Sequence, residues 1–249
     1  GVEIPLRAID GVYARPLDLP AQGRDGLAGL RARVFHELFV EWLELTPALV
    51  LNRPLAMESN SSKPYQLQQI RAAGFAIPET LVTSAPAEAR VFRATHGRVI
   101  YKSVSGIRSI VRELDDVALT RIDRLRDLPV QLQAYVPGED VRVHVVGEET
   151  FACTVRSAAV DYRYASRDAL DVDLQAIELP AEVSKVCRTL AAQLGLPFCG
   201  IDLRRTPDGD WICFEVDPMP AYSYFETESG LPIARAVVEL LAGRSSGRR

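Results

Sequence analysis

The stretch GIDLRRTPDGDWICFEVDP, residues 200–218, decides how this chain is read. Apolar residues flank a PDGD turn signal at 207–210, so the segment reads as two strands joined in a hairpin. Glu215 and Asp217 lie two apart on the second strand, and alternation points both to one face. The hairpin lets Asp202, on the first strand, face them across the ladder. Three carboxylates converging from apolar strands repel one another and are each costly to bury. A hard divalent cation such as magnesium relieves that conflict, keeping waters and phosphate oxygens as its remaining ligands. The plainer alternative is three carboxylates at strand ends, facing water.

Outward from the hairpin, VRVHVVG (141–147), TFACTVR (150–156) and residues 198–205 read as further strands. Pro129 to Val136 is a strand entering a PGED turn, RVIYK (98–102) and IPETLVT (77–83) are strands, and a Ser/Gly loop after Lys102 leads into another. Helices are predicted from Ser62 as N-cap to Gly74, from Ser84 to near Gly97, from Pro180 through Gln193 and from Gly230 through Leu241. Between Leu27 and Leu45 the apolar residues Leu30, Val34, Leu38 and Trp42 recur at helical spacing. Gly11 to Ala14 and ALVLN (48–52) read as short strands, and NRPLAMESNSS as a loop. Antiparallel strands cluster in the second half with helices before and after, which predicts an α+β fold and not a repeating βαβ sheet.

Composition sets bounds. The 249 residues are 47% hydrophobic and 25% charged, with a formal net charge of −4. That balance gives no basic face for nucleic acid, and it leaves room for a local basic pocket. Cys153, Cys187, Cys199 and Cys213 make no C-x-x-C pair and sit mostly in apolar runs, so they read as small buried hydrophobes in place of disulfides or a zinc site. His36, His96 and His144 show no ligand spacing. No apolar run approaches the ~20 residues of a membrane span, and with no signal peptide at the start the expected location is cytoplasmic.

The chain has only three lysines, Lys63, Lys102 and Lys185. Lys102 ends a strand directly before the Ser/Gly loop, where backbone N–H groups, hydroxyls and one ammonium could meet phosphate oxygens. In chain order, NSSKPYQLQQIRAAGFAIPETLVT (60–83), RVIYKSVSG (98–106), VQLQAYVPGEDVRVHVVGEETFA (130–152), DYR (161–163) and GIDLRR…FEVDPMP together resemble the ATP-grasp superfamily of carboxylate–amine ligases. That group includes D-alanine–D-alanine ligase, glutathione synthetase and the enzymes that add glutamate to ribosomal protein. GVYARP and the 133–143 run look closest to the microviridin-type peptide ligases. The resemblance covers roughly residues 48 to 243.

The resemblance implies ATP and Mg2+ as cofactors and an ATP-grasp fold of two α+β lobes gripping the nucleotide. It assigns Lys63 and Lys102 to the nucleotide phosphates, and the backbone of Gln133, Tyr135 and Val136 to the adenine edge. It assigns Asp140 to the ribose, and Asp202, Glu215 and Asp217 to the metal. Arg142 faces away from Val141 and Val143 on its strand; with Arg156 and Arg163 it is a candidate for stabilising the acyl-phosphate and the departing phosphate. Tyr222, Tyr224 and Glu226 either contact substrate or pack. Two departures from the pattern stand out: Asp217 replaces the usual asparagine, and the loop after Lys102 carries only Gly106.

The expected organisation is a shortened N-terminal segment (1–52), a lobe with Lys63 and Lys102 (53–135), a lobe with the metal site (136–243) and a disordered tail (244–249). Relatives carry a longer N-terminal domain, so either the first βα units are missing from this sequence, or a partner or second copy supplies that surface. The expected activity is ATP-dependent activation of a carboxylate as an acyl-phosphate and its transfer to the amine of an amino acid or peptide. A kinase acting on a hydroxyl, or a nucleotide-binding module without turnover, are the alternatives.

Overall fold

A computed structural model of the chain describes residues 3–16, 26–104, 111–157 and 172–243. Its centre is β7 (Glu139–Val146), whose apolar run is buried along nearly its whole length because both faces are covered. It pairs with β8 (Glu149–Ser157) and with β10 (Phe198–Arg205), and the sheet continues to β11 (Trp211–Asp217) on one side and β9 (Val172–Ile177) on the other. All four pairings are antiparallel. The turn of residues 137–140 depends on Gly138 at φ +144°, where a Cβ would strike the Arg205 carbonyl oxygen at 2.3 Å.

One face of this five-stranded sheet carries the largest core. Val141, Val143, Val145, Ile201 and Leu203 pack there against α6 (Ala181–Gln193) and against Leu67 and Ile70 of α3 (Lys63–Ala72). The other face meets α7 (Tyr222–Ser229) and α8 (Ile233–Leu241) through Cys153, Val155, Phe225 and Val237. Strand β11 is an edge, and its backbone groups do not go unpaired. Val216 donates to Gln66 Oε1 at 2.9 Å and accepts from Gln66 Nε2 at 2.8 Å, and Cys213 donates to the Ala76 carbonyl. Covering an edge this way removes a template for unwanted strand pairing.

A second sheet orders β3 (Thr80–Thr83), β6 (Val130–Ala134), β4 (Val99–Ser103) and β5 (Arg112–Glu113). Its outer face is covered by α4 (Pro86–His96) and the 3-10 turns of Ile122–Asp127, around Ala89, Val99 and Leu132. At the N-terminal end β1 (Gly11–Tyr13) runs parallel to β2 (Leu49–Leu51), and both lean on the inner side of α1 (Gly26–Leu45) through Phe39, Trp42 and Leu43.

The helices and antiparallel strands agree with the α+β reading, and the differences have local causes. Residues 54–57 form a one-turn helix, α2, where a loop is expected; Pro54 at its first turn pre-sets the helical φ. A short helix α5 (Asp116–Leu119), capped by Asp115, and α7 had no sequence periodicity long enough to reveal them. In α1 the periodic residues Leu30, Val34 and Leu38 point outward, not into the core. The cores also divide differently from the expected lobe boundary: α3, and Lys63 with it, packs with the five-stranded sheet that carries the acids. The loop glycine Gly106, the DYR segment with Arg163 and the tail 244–249 lie outside the described residues. Among the described residues no helix is long and apolar enough to cross a membrane. The four cysteines are free and buried. Burial raises their thiols, Cys153 to about 11 and Cys187 to about 12, so they stay protonated.

Candidate active site

The two sheets face each other across a cleft open to solvent, and Lys102, Gln133, Tyr135, Asp140, Arg142, Asp202 and Glu215 among the residues singled out in the sequence line it. Ile100 and Lys102 on β4 and Gln133 and Tyr135 at the end of β6 form one wall; Asp140, Arg142, Asp202, Phe214 and Glu215 form the other. Alternation accounts for both walls. Lys102 pairs across the ladder with Gln131, and Ile100 with Gln133, so these four share the cleft face of their sheet. Arg142 pairs with Asp202 and Asp202 with Glu215, which puts these three on one face of the other.

Arg142 is the electrostatic hub of that face. Its Nη1 donates to Asp202 at 2.8 Å and its Nη2 to Asp217 at 3.1 Å, while its guanidinium sits 5.5 Å from the centre of the Phe225 ring. The group lies flat over Gly200, where a Cβ would come within 2.0 Å of Nη2. Lys63 Nζ reaches Glu215 at 2.7 Å and is only 4% exposed. Among the described residues, Arg142 and Lys63 thus neutralise much of the charge that the three carboxylates place on this wall. Lys63 does not line the cleft in its own right; its backbone N–H also ties the start of α3 to the Val104 carbonyl at the end of β4.

The adjoining end of the cleft is organised by Arg204, which the sequence reading passed over. Its Nη2 lies 2.6 Å from Asp140 and its Nη1 donates to the Val136 carbonyl at 2.7 Å. It also lies near the Tyr135 and Phe214 rings. The signal was available: Arg204 stands opposite Asp140 in the ladder. The Tyr135 N–H is committed to the Arg98 carbonyl at 2.9 Å and the Ala134 N–H to the Glu79 carbonyl, so protein partners hold the backbone of this strand end in place. A register shift at Asp202/Leu203 inserts Phe214 into β11 as an extra residue. Strict alternation would turn it away from Glu215; the bulge lets both reach the cleft.

Two buried side chains on this face of the sheet have polar atoms left over. Among the described residues neither amide atom of Gln131 makes a hydrogen bond, and the Gln133 oxygen is unpaired, its nitrogen donating to Thr80 at 3.1 Å. Buried amides are ordinarily paired, and orphans facing a cleft point to something that enters it. The Q-x-Q spacing on a strand was a readable signal for both. His144 is fully buried beside Phe225 with both ring nitrogens unpaired. Burial, and then the nearby Arg142 charge, holds its pKa well below the usual histidine range, so it is neutral.

Two expectations are corrected. Arg156 does not join the site: Val155, the residue before it in β8, faces the cleft, so Arg156 points to the opposite side of the strand and pairs there with Glu139 at 3.0 Å. The three acids do not form a ready metal cage either; among the described residues no group of three or more carboxylate, imidazole or thiol side chains is arranged to hold a metal ion. The reason is Arg142 and Lys63, which already occupy them. Asp217 places one oxygen on Arg142 and accepts from the Met219 N–H with the other at 3.0 Å, and it does not line the cleft. Asp202 and Glu215, oriented by Arg142 and Lys63, present hard oxygen donors on the cleft wall. That donor set fits magnesium, which commonly takes one or two carboxylates and completes its shell with water and phosphate. Of the residues after the hairpin, Tyr222 packs against Tyr13 and Phe198, and Glu226 accepts from the Ala234 N–H at 3.1 Å, so both are engaged in packing the fold.

Comparison with known proteins agrees with this arrangement. A probable alpha-L-glutamate ligase of Pseudoalteromonas atlantica is 23% identical over 221 residues, covering 83% of this chain and 71% of the relative. The solved ATP-grasp ligase PsnB with a minimal precursor superposes with a TM-score of 0.80 at 29% identity, over 94% of this chain and 78% of that one. PsnB with precursor, Mg and ADP gives 0.75 at 30% identity, over 93% and 78%. The macrocyclase MdnC of Microcystis aeruginosa, bound to its precursor peptide, shares the fold with a TM-score of 0.79 at 23% identity, over 96% and 80%. The sequence model of the RimK-like ATP-grasp domain matches residues 95–241, more than half the chain. Two sheets gripping one cleft, a lysine on one wall and acids on the other, thus belong to a member of the RimK-like ATP-grasp family, an ATP-dependent carboxylate–amine ligase.

Proposed function

We propose that the chain joins a carboxylate of a peptide to an amine. Lys102, Gln133, Tyr135, Val136 and Asp140 hold the nucleotide, and Asp202, Glu215 and Arg142 organise the reacting phosphate. The observation that carries this reading is the shared cleft: Lys102 and Gln133 on one sheet look across it at Asp202, Glu215 and Arg142 on the other. Magnesium held by Asp202 and Glu215 supplies the positive charge that lets a carboxylate approach a polyphosphate.

The remaining work falls to the chain's own residues. Lys102, an ammonium almost fully buried in its wall, neutralises phosphate oxygens more strongly than it would in water. Gln131 and Gln133 offer unpaired amide atoms to the nucleotide, and Arg204 holds Asp140 and the Val136 carbonyl in place for the ribose and base. Lys63 and Arg142 fix the orientation of Glu215 and Asp202. In the first step a carboxylate oxygen of the substrate attacks the γ-phosphorus while its bond to the ADP oxygen breaks. In the second, the amine nitrogen attacks the acyl carbon, the bond to phosphate oxygen breaks, and the amine proton passes to solvent. Positioning and charge neutralisation account for the protein's part in both.

A peptide as the carboxylate donor is supported by the precursor-bound PsnB structures at 29–30% identity. The test is a screen of short peptides and amino acids for ATP-dependent phosphate release, with product mass. The expected product is lighter by one water per bond formed, and hydroxylamine traps the acyl-phosphate. Lys102→Ala and Glu215→Ala are expected to lower turnover at least ~100-fold with the fold retained. Full ADP production by either variant would refute the assignment.

A further inference from the structure

The second sheet holds one amide whose direction is settled by its neighbours. Gln133 is fully buried yet borders the cleft, and it stands opposite Thr80 in the β3–β6 ladder. The Thr80 hydroxyl donates to the Pro78 carbonyl at 2.7 Å, and Gln133 Nε2 donates to the same Thr80 oxygen at 3.1 Å. A carbonyl can only accept, so the single hydroxyl hydrogen is spent on Pro78 and Thr80 has only lone pairs left for the glutamine. Turning the amide over would set its oxygen against the Thr80 oxygen and forfeit the bond. The chain of carbonyl, hydroxyl and amide therefore holds Nε2 toward Thr80 and leaves Oε1 without a partner among the described residues. Gln131, two positions along the same face, shows the contrast: neither of its amide atoms is bonded, so no such chain fixes which way it points.

We infer that Thr80 is a positioning residue that makes Gln133 an acceptor-only reader of the nucleotide base, favouring a 6-amino purine over a 6-oxo purine. The inference rests on the proposal above that Gln133 holds the nucleotide. Adenine carries an amino group at position 6, which donates; hypoxanthine carries a carbonyl oxygen there, which accepts. A free amide serves either base by turning over, because its two ends have nearly the same shape and opposite hydrogen-bond sense. A locked amide serves only the donor, and sets two oxygens against each other when the base is wrong. A buried site that leaves polar groups unpaired rejects the wrong ligand far more strongly than an apolar pocket does. The nearby backbone adds to the weight on this one atom. The Ala134 and Tyr135 N–H groups are bonded to the Glu79 and Arg98 carbonyls, so neither is spent on the base.

The test is equilibrium binding of ADP and inosine diphosphate to the full chain by isothermal titration calorimetry, with no second substrate present. The two nucleotides share ribose and phosphates and differ at position 6 and the adjoining N1 hydrogen, so the ratio of their dissociation constants reports the base alone. Wild type is expected to prefer ADP at least ~100-fold. Thr80→Val keeps the shape, removes the hydroxyl and frees the amide. It should cut that preference at least ~10-fold, weakening ADP and strengthening the inosine nucleotide. Thr80→Ser keeps the hydroxyl and should stay within ~3-fold of the wild-type ratio. A hydroxyl needed only for the fold would weaken both nucleotides alike in T80V and leave the ratio unmoved, which would overturn the inference; so would a wild type without the preference. Gln133→Ala separates the inference from the reading beneath it. If Q133A keeps the wild-type ratio, Gln133 does not face the base and both fall. If Q133A loses the preference while T80V keeps it, the nucleotide site stands and the role of Thr80 is refuted. In the Q133A background Thr80→Val should change the ratio less than ~2-fold.

Discussion

Replacing Gly200 by alanine is the sharpest probe of the site, because it adds one methyl group and acts through a single contact, with Arg142. The added Cβ would lie 2.0 Å from Arg142 Nη2 and 2.3 Å from Cζ, well inside contact distance. The guanidinium must move, and it has nowhere convenient to go: it is 5% exposed, with Asp202 and Asp217 on its two ends. Displacing it breaks two charge-assisted hydrogen bonds, each contributing about 1.5–3 kcal/mol when buried. Both carboxylates are partly exposed, so solvent screening removes roughly half of that, leaving a cost of about 1.5–3 kcal/mol. In a chain of this size that lowers the melting temperature by about 3–12 °C.

The same displacement should disturb the carboxylate proposed above as a magnesium ligand, since Asp202 loses the contact that orients it. Turnover is therefore expected to fall ~10–100-fold, with nucleotide affinity in the absence of divalent cation little changed. The assay is a double-mutant cycle with Arg142→Lys, read by urea denaturation and by phosphate release. If the clash is the cause, the second substitution costs much less in the Gly200→Ala background than alone, a coupling of about 1–3 kcal/mol. A Gly200→Ala protein within ~0.5 kcal/mol of wild type, or strictly additive effects, would refute the reasoning.

Three further outcomes follow from the same structure. Arg156→Ala should change kcat/KM less than ~2-fold and stability by under ~1 kcal/mol, since its pair with Glu139 is exposed and on the far face; a large loss in steady-state kinetics would return Arg156 to the site. Asn52→Ala removes a buried side chain that donates to the Phe198 and Pro218 carbonyls and accepts from the Phe198 N–H. It should destabilise the protein by ~2–4 kcal/mol in urea melts. His144 is kept neutral in the folded state while the unfolded chain binds its proton near pH 6.5, so its contribution to stability is present above that pH and lost on acidification. Compared with His144→Gln, wild-type stability should drop by up to ~1.4 kcal/mol for each pH unit below about 6.5; parallel urea profiles for the two proteins would contradict this.

Much of the site was legible because side-chain direction in a strand is a local property. Two residues apart means one face, so Glu215 with Asp217, and Arg142 opposed to its valine neighbours, could be grouped from the chain alone, and the PDGD turn set Asp202 against Glu215. The ordered motifs identified the family for the same reason: each is a short stretch with its own geometry. The helix at 27–45 was also evident from its period, though not which side of it faces the core.

Tertiary structure decided which charges neutralise which. Lys63 meets Glu215 only because α3 packs on the edge of β11, and Arg142 bridges Asp202 and Asp217 only because Gly200 leaves room beneath it. These partners are separated by 60 to 152 positions in sequence, and no local spacing encodes their meeting. The bulge that brings Phe214 into the cleft, and the strand face that turns Arg156 out of it, likewise follow from how neighbouring strands register. The sequence alone thus specified the face and chemistry of each group. Packing between distant elements, where burial makes an unpaired charge costly, selected the partners and so the working form of the site.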